Sequence, residues 1–144
     1  HNVYIKNNSN TNGYQINDDI TITVIVNSIP NEENVISMNI KDATGTILTS
    51  INTLDLTDEL LNSKKKNKFK LIMDLKLSLE AGSYTFDFFP GIKKGKNEAI
   101  SITKKTLGPI NIEWDYNLQT APFLGKFGLP IKKRLNYINR PDEK

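Results

Sequence analysis

Residues able to do covalent or acid–base chemistry are scarce in this chain, and their spacing removes most of what is left. There is one histidine, His1, and no cysteine. A serine triad or a cysteine dyad needs a histidine beside its nucleophile, so neither can be assembled. The same shortage excludes a three-histidine or thiolate zinc centre, and it excludes disulfides. Paired carboxylates remain, as in glycoside hydrolysis. Asp18-Asp19 and Glu32-Glu33 are adjacent, but neighbours on a strand point to opposite faces, and both pairs lie in turn-like segments. Gly91-Ile92-Lys93-Lys94-Gly95-Lys96 is one residue short of a phosphate-binding loop, and Asn97 follows where a serine or threonine would hold magnesium. Asp42-Ala43-Thr44-Gly45 has too few oxygen ligands near it for calcium and reads as a β-turn. The expectation is a domain with no catalytic centre, no cofactor and no metal.

What remains is binding chemistry. The net charge is +3 at pH 7, and lysines run together at Lys64, Lys65 and Lys66, at Lys93, Lys94 and Lys96, and at Lys132, Lys133 and Arg134. No aromatic residues alternate with them, as the stacking platforms of a nucleic-acid groove would. They read as solvated loops, and no nucleic-acid partner is expected.

The elements that must position any binding group are strands. From Phe69 to Leu79 every odd position is apolar, and the even positions are polar apart from Ile72. That period of two puts one face of a strand in a core and the other in water. Ile20, Ile22, Val24 and Val26 repeat it with β-branched side chains. Ile36, Met38 and Ile40 predict another strand, returned by the Asp42–Gly45 turn into Ile47–Ile51. Tyr84, Phe86 and Phe88 alternate after a turn at Glu80-Ala81-Gly82, with Pro90-Gly91 expected to close the strand. Ile100 and Ile102 follow, then Ile110, Ile112, Trp114 and Tyr116, and Val3 and Ile5 open the sheet. One short helix is predicted over Thr57–Asn62, with Thr57 as its N-cap and Asp58 and Glu59 in its first turn.

These signals predict an all-β fold: an antiparallel β-sandwich of Ig-like or jelly-roll type, with about eight or nine strands and at most one short helix. A chain of 144 residues fits one domain. Residues 1–131 are expected to form it, and 132–144 a polar, basic tail. No run approaches the roughly 20 apolar residues of a membrane span. No signal peptide precedes the abrupt start at His1, so the chain reads as a fragment of a longer protein, and His1 as either native or a tag remnant.

Three segments, taken in order and spacing, carry a family resemblance. They are Asp42-Ala43-Thr44-Gly45-Thr46-Ile47 running on to Asn52-Thr53; Leu79-Glu80-Ala81-Gly82-Ser83-Tyr84-Thr85-Phe86; and Gly108-Pro109-Ile110, Trp114-Asp115-Tyr116 and Ala121-Pro122-Phe123-Leu124-Gly125. From about Val3 to Ile131 the chain resembles the C-terminal carbohydrate-binding domain of Wzt-type ATPases, which belong to ABC transporters that export O-antigen polysaccharide. The resemblance implies a non-catalytic sandwich fused behind a nucleotide-binding domain absent here. It implies recognition of the exported polysaccharide, often at its non-reducing end. It also implies a cytoplasmic place at the inner face of the bacterial inner membrane, beside the membrane transporter subunits. In that family the domain can dimerise by exchanging C-terminal strands, and the matching segment here is 108–129. The alternative is a bacterial surface or adhesion Ig-like domain that contacts protein or spaces other domains.

A sugar offers hydroxyls and weakly apolar C–H faces, so its site needs amide, carboxylate or ammonium groups beside an aromatic ring. Asp87 and Thr85 alternate with Phe86 and Phe88 and should face outward. Lys70 and Asp74 share the polar face of the longest strand. Tyr14 and Tyr116 lie among turn-like polar residues and are the exposed aromatic candidates. Trp114 is a candidate weighed against burial in the core or at a dimer contact, the usual place of a lone tryptophan. Asn52 sits where the resemblance places a recurring Asn-Thr pair.

Overall fold

The computed structural model describes residues 2–9 and 12–138; His1 and residues 139–144 of the expected tail lie outside them. Among the described residues there are nine strands and one helix. They are β1 (Asn2–Asn7), β2 (Tyr14–Gln15), β3 (Asp19–Asn27), β4 (Asn34–Lys41), β5 (Ile47–Asn52), α1 (Thr57–Ser63), β6 (Lys68–Lys76), β7 (Gly82–Gly95), β8 (Glu98–Ser101) and β9 (Lys105–Glu113). Two sheets form: a small antiparallel one ordered β1-β3-β6, and a larger one ordered β2-β9-β7-β4-β5 with β8 added to β7. The alternating apolar residues face each other across the gap. Ile20, Ile22, Val24 and Val26 of the small sheet meet Ile36, Met38, Ile40, Tyr84, Phe86, Phe88, Ile110 and Ile112 of the large one. The chain is therefore an all-β sandwich.

Position within a sheet decides how fully each apolar face is covered. In β3, flanked on both sides, Ile20, Ile22, Val24 and Val26 are buried. In β6, an edge strand with the same alternation, Phe69, Leu71, Met73 and Leu75 are only half-buried. The alternation runs past the end of β6: Leu77 is buried and bonds through its backbone to Asn17 and Asp18, and Leu79 bridges Phe127.

Two expectations of element boundaries are corrected. Pro90-Gly91 does not close β7, which runs on to Gly95. Pro90 lies where one edge of β7 passes from β9 to β8. On the other edge it faces Ile36, whose N–H and C=O both turn to Thr53. The missing proline N–H thus leaves no ladder bond unmade. Gly91 is needed for the same switch, because a Cβ there would lie 2.0 Å from the backbone oxygen of Ile100. The helix exists, but its N-cap is Leu56, and no side chain caps it. It is held by burial of Leu60 and by Ser63, whose Oγ accepts the Asn34 N–H.

At one end of the sandwich β2 joins the large sheet through a parallel pairing with β9, Tyr14 opposite Ile112 and Gln15 opposite Glu113. This is also where β7 begins, with Gly82 opposite Ile112. From Trp114 to Ile138 no strand forms. The segment is tied back by Glu80 N–H to Lys126 O and by Gly128 N–H to Ser78 O, with Phe123 against the core.

Candidate functional site

The end of β9 builds the site. Ile110 and Ile112 enter the core while Asn111 and Glu113 face water. The expected continuation of this strand through Trp114 and Tyr116 does not occur. Asp115 Oδ1 accepts the N–H groups of Asn117 (3.0 Å) and Leu118 (3.3 Å), and its carbonyl accepts from Gln119 (3.0 Å). An aspartate bonding backbone two residues on is the turn device that draws the chain out of the sheet. The Trp114 Nε1–H donates to Gln119 O (3.3 Å), which closes the turn over the indole.

This turn and β2 enclose an open cleft of about 470 Å³, lined by Gln15, Glu113, Trp114, Asp115, Tyr116, Asn117 and Gln119. That volume falls within the ~300–1,000 Å³ of small-molecule sites. Trp114 is half-buried and packs on the core, as weighed against it from sequence, yet it also lines the cleft. Tyr116 is 52% exposed. Two rings thus stand among two glutamines, an asparagine and two carboxylates. That set can accept apolar C–H faces and hydrogen-bond hydroxyls. Among the described residues no cluster of His, Cys, Asp or Glu could hold a metal ion.

The other candidates lie elsewhere. Tyr14 is not an exposed ring: it is half-buried against the core beside the cleft, with Gln15 providing the lining. Thr85 and Asp87 do point away from the core, opposite Lys41 and Asn39 of β4. Asp87, however, is only 2% exposed. Lys41 pairs with it, Thr106 Oγ1 donates to its Oδ1 (2.8 Å), and Lys104 stands at 3.7 Å. Its outward orientation was legible, but its availability to a ligand was not, because the covering groups come from other strands. Asn52, on the edge strand β5, accepts the Leu54 N–H (2.9 Å). Lys70 and Asp74 are exposed on the small sheet, where Asp74 accepts from Thr21 Oγ1 (2.6 Å). Of the eight candidates, Trp114 and Tyr116 line this cleft together. Gln15, Glu113, Asp115, Asn117 and Gln119 were missed; all but Gln15 neighbour the two rings in sequence, and Gln15 arrives only through the β2–β9 pairing.

Burial alone would push the Asp87 carboxyl up, but hydrogen bonds from Lys41 and Thr106 and the charges of Lys104 and Lys41 outweigh it, holding it below the ordinary 3.8. A depressed folded-state value adds stability that is complete above the unfolded-state value and is lost as pH falls through the folded one. Asp87→Asn is therefore expected to lower the unfolding free energy by about 1–2 kcal/mol at neutral pH, modest because both lysines reach solvent. In urea titrations the gap between the two proteins should close below about pH 4. A gap that persisted at low pH would show that packing, not charge, sets the cost.

No family model matches the chain, and no curated protein matches it in sequence. Among solved structures it is similar to the crystal structure of the C-terminal domain of Wzt, with a TM-score of 0.65 over 93% of this chain and 81% of that one. The chain has the fold of the Wzt C-terminal domain. Sequence identity to that Wzt domain is 12%, so the likeness is one of architecture, and the cleft at Trp114 and Tyr116 stands on this chain's own residues.

Proposed function

We propose that the domain is a non-catalytic glycan-binding module that recognises a bacterial O-antigen polysaccharide, at its non-reducing end, and couples it to export by an ABC transporter. The observation that carries this reading is the cleft in which Trp114 and Tyr116 stand among Gln15, Glu113, Asn117 and Gln119, in a chain with the Wzt-type fold. A chain end suits a cleft at the end of a sandwich. Each exposed hydrogen bond to a sugar nets only about 1 kcal/mol. Affinities of about −4 to −8 kcal/mol, millimolar to micromolar, are therefore expected for one site.

On this reading the domain acts as a homodimer on the cytoplasmic face of the inner membrane, beside the transporter's membrane subunits, and two sites on one polymer raise the effective affinity. The exchanged segment is 108–129. Within one chain β9 completes its own large sheet, and an exchanged β9 would make the same bonds to a partner's β7. Leu118, Leu124 and Leu129, all strongly exposed, supply apolar surface for a second copy to cover.

Titration calorimetry of the domain against O-polysaccharide from its own source and from an unrelated serotype tests the assignment. Saturable binding of its own polymer alone is expected. Binding of neither, or of both equally, would remove it.

A further inference from the structure

The lysine runs that look like separate solvated loops in the sequence converge in the fold. Lys64, Lys65 and Lys66 follow α1, and Lys68 opens β6. Lys93 and Lys94 end β7, and Lys96 sits in its turn into β8. Both groups bond to one loop: Lys64 O accepts the Asn31 N–H, and the Lys93 N–H donates to Glu33 O. Asn34 is opposite Ile92 and bonds Ser63. Seven lysines therefore gather at one end of the sandwich, against Glu32, Glu33 and Glu98 and against Asp58 and Glu59 in the first turn of α1. Among the described residues none of the seven is in an ion pair. The cleft lies at the far end of β7, where Gly82 pairs with Ile112, and the path from Gly82 to Lys93 along the strand is about 36 Å.

Aliphatic side chains stand exposed among these lysines: Leu61 on α1, Ile100 on β8 and Ile102 just after it. The segments that carry these lysines and the loop they bond to, 28–34, 56–68 and 90–102, contain no aromatic ring and no arginine, so they offer neither base stacking nor bidentate phosphate recognition. Mobile point charges interleaved with aliphatic side chains fit a surface whose negative charge is diffuse and whose next layer is apolar. We infer that this end of the sandwich docks on an anionic phospholipid surface and holds the cleft away from it. The inference does not depend on what the cleft binds.

Co-sedimentation of the chain with vesicles tests it. Vesicles of equimolar phosphatidylglycerol and phosphatidylcholine should retain the protein, and pure phosphatidylcholine should not. Raising the salt should release it, because the attraction fades within a Debye length. The triple reversals K64E/K65E/K66E and K93E/K94E/K96E should each weaken partitioning by about tenfold or more. Reversal of Lys6 and Lys76, at the other end of the small sheet beside Thr21 and Asp19, should leave most of it intact. Circular dichroism checks that each variant is folded. No retention of the wild type, equal retention by neutral vesicles, equal loss from the small-sheet reversal, or binding to DNA without binding to vesicles would each overturn the inference.

Discussion

Phe86→Ala is expected to lower the unfolding free energy by about 4 kcal/mol, within the range for deleting a buried ring. Phe86 is fully buried at the centre of the large sheet, opposite Ile40 on β4 and Leu107 on β9. No neighbour can close the gap without disturbing a ladder on either side, so the cavity term is added to the lost transfer energy. For a chain of this size the midpoint of thermal unfolding should fall by about 10 °C. The control is three residues away. Phe89, opposite Ser37 on the outward face, is half-buried, and Phe89→Ala should cost about 1 kcal/mol. Equal costs at the two positions would contradict the alternation on which the sandwich rests.

Tyr116→Ala is expected to weaken glycan binding by about thirtyfold, some 2 kcal/mol, the loss typical of a truncated aromatic anchor. Tyr116 is half exposed, and among the described residues no hydrogen bond ties its hydroxyl to the fold. Its removal should leave stability within about 0.5 kcal/mol, so the lost affinity can be assigned to contact with ligand. Trp114→Ala would mix the two, because the indole also packs on the core and holds Gln119. Asp87→Asn should leave glycan affinity unchanged, since that carboxylate is occupied by Lys41, Thr106 and Lys104. Unchanged affinity in Tyr116→Ala, or a large loss in Asp87→Asn, would move the site to the sheet face.

These two positions also show what could be read from sequence. Alternation of Phe86 with Asp87 correctly placed one inward and the other outward, because the period of a strand is local. That Asp87 would be covered was not legible, because Lys41 comes from β4 and Lys104 precedes β9; strand pairing is a long-range fact. The same limit hid Gln15, brought to Glu113 by a two-residue parallel pairing. Pro90-Gly91 misled for a different reason. Both residues usually break a strand, but here the proline meets no required donor and the glycine admits the backbone of Ile100. At Trp114–Tyr116 the residue types were informative and the geometry was not. The apolar-polar rhythm ran on past Glu113, while the Asp115 side chain, competing for backbone N–H groups, ended the strand.

Trp114 is the only tryptophan in the chain, and it lines the cleft, so its fluorescence reports on the proposed site alone. When O-polysaccharide from the protein's own source is added, the emission should change saturably, with the same midpoint as the heat of binding. Binding heat accompanied by an unaltered Trp114 spectrum would place the sugar elsewhere and contradict the account.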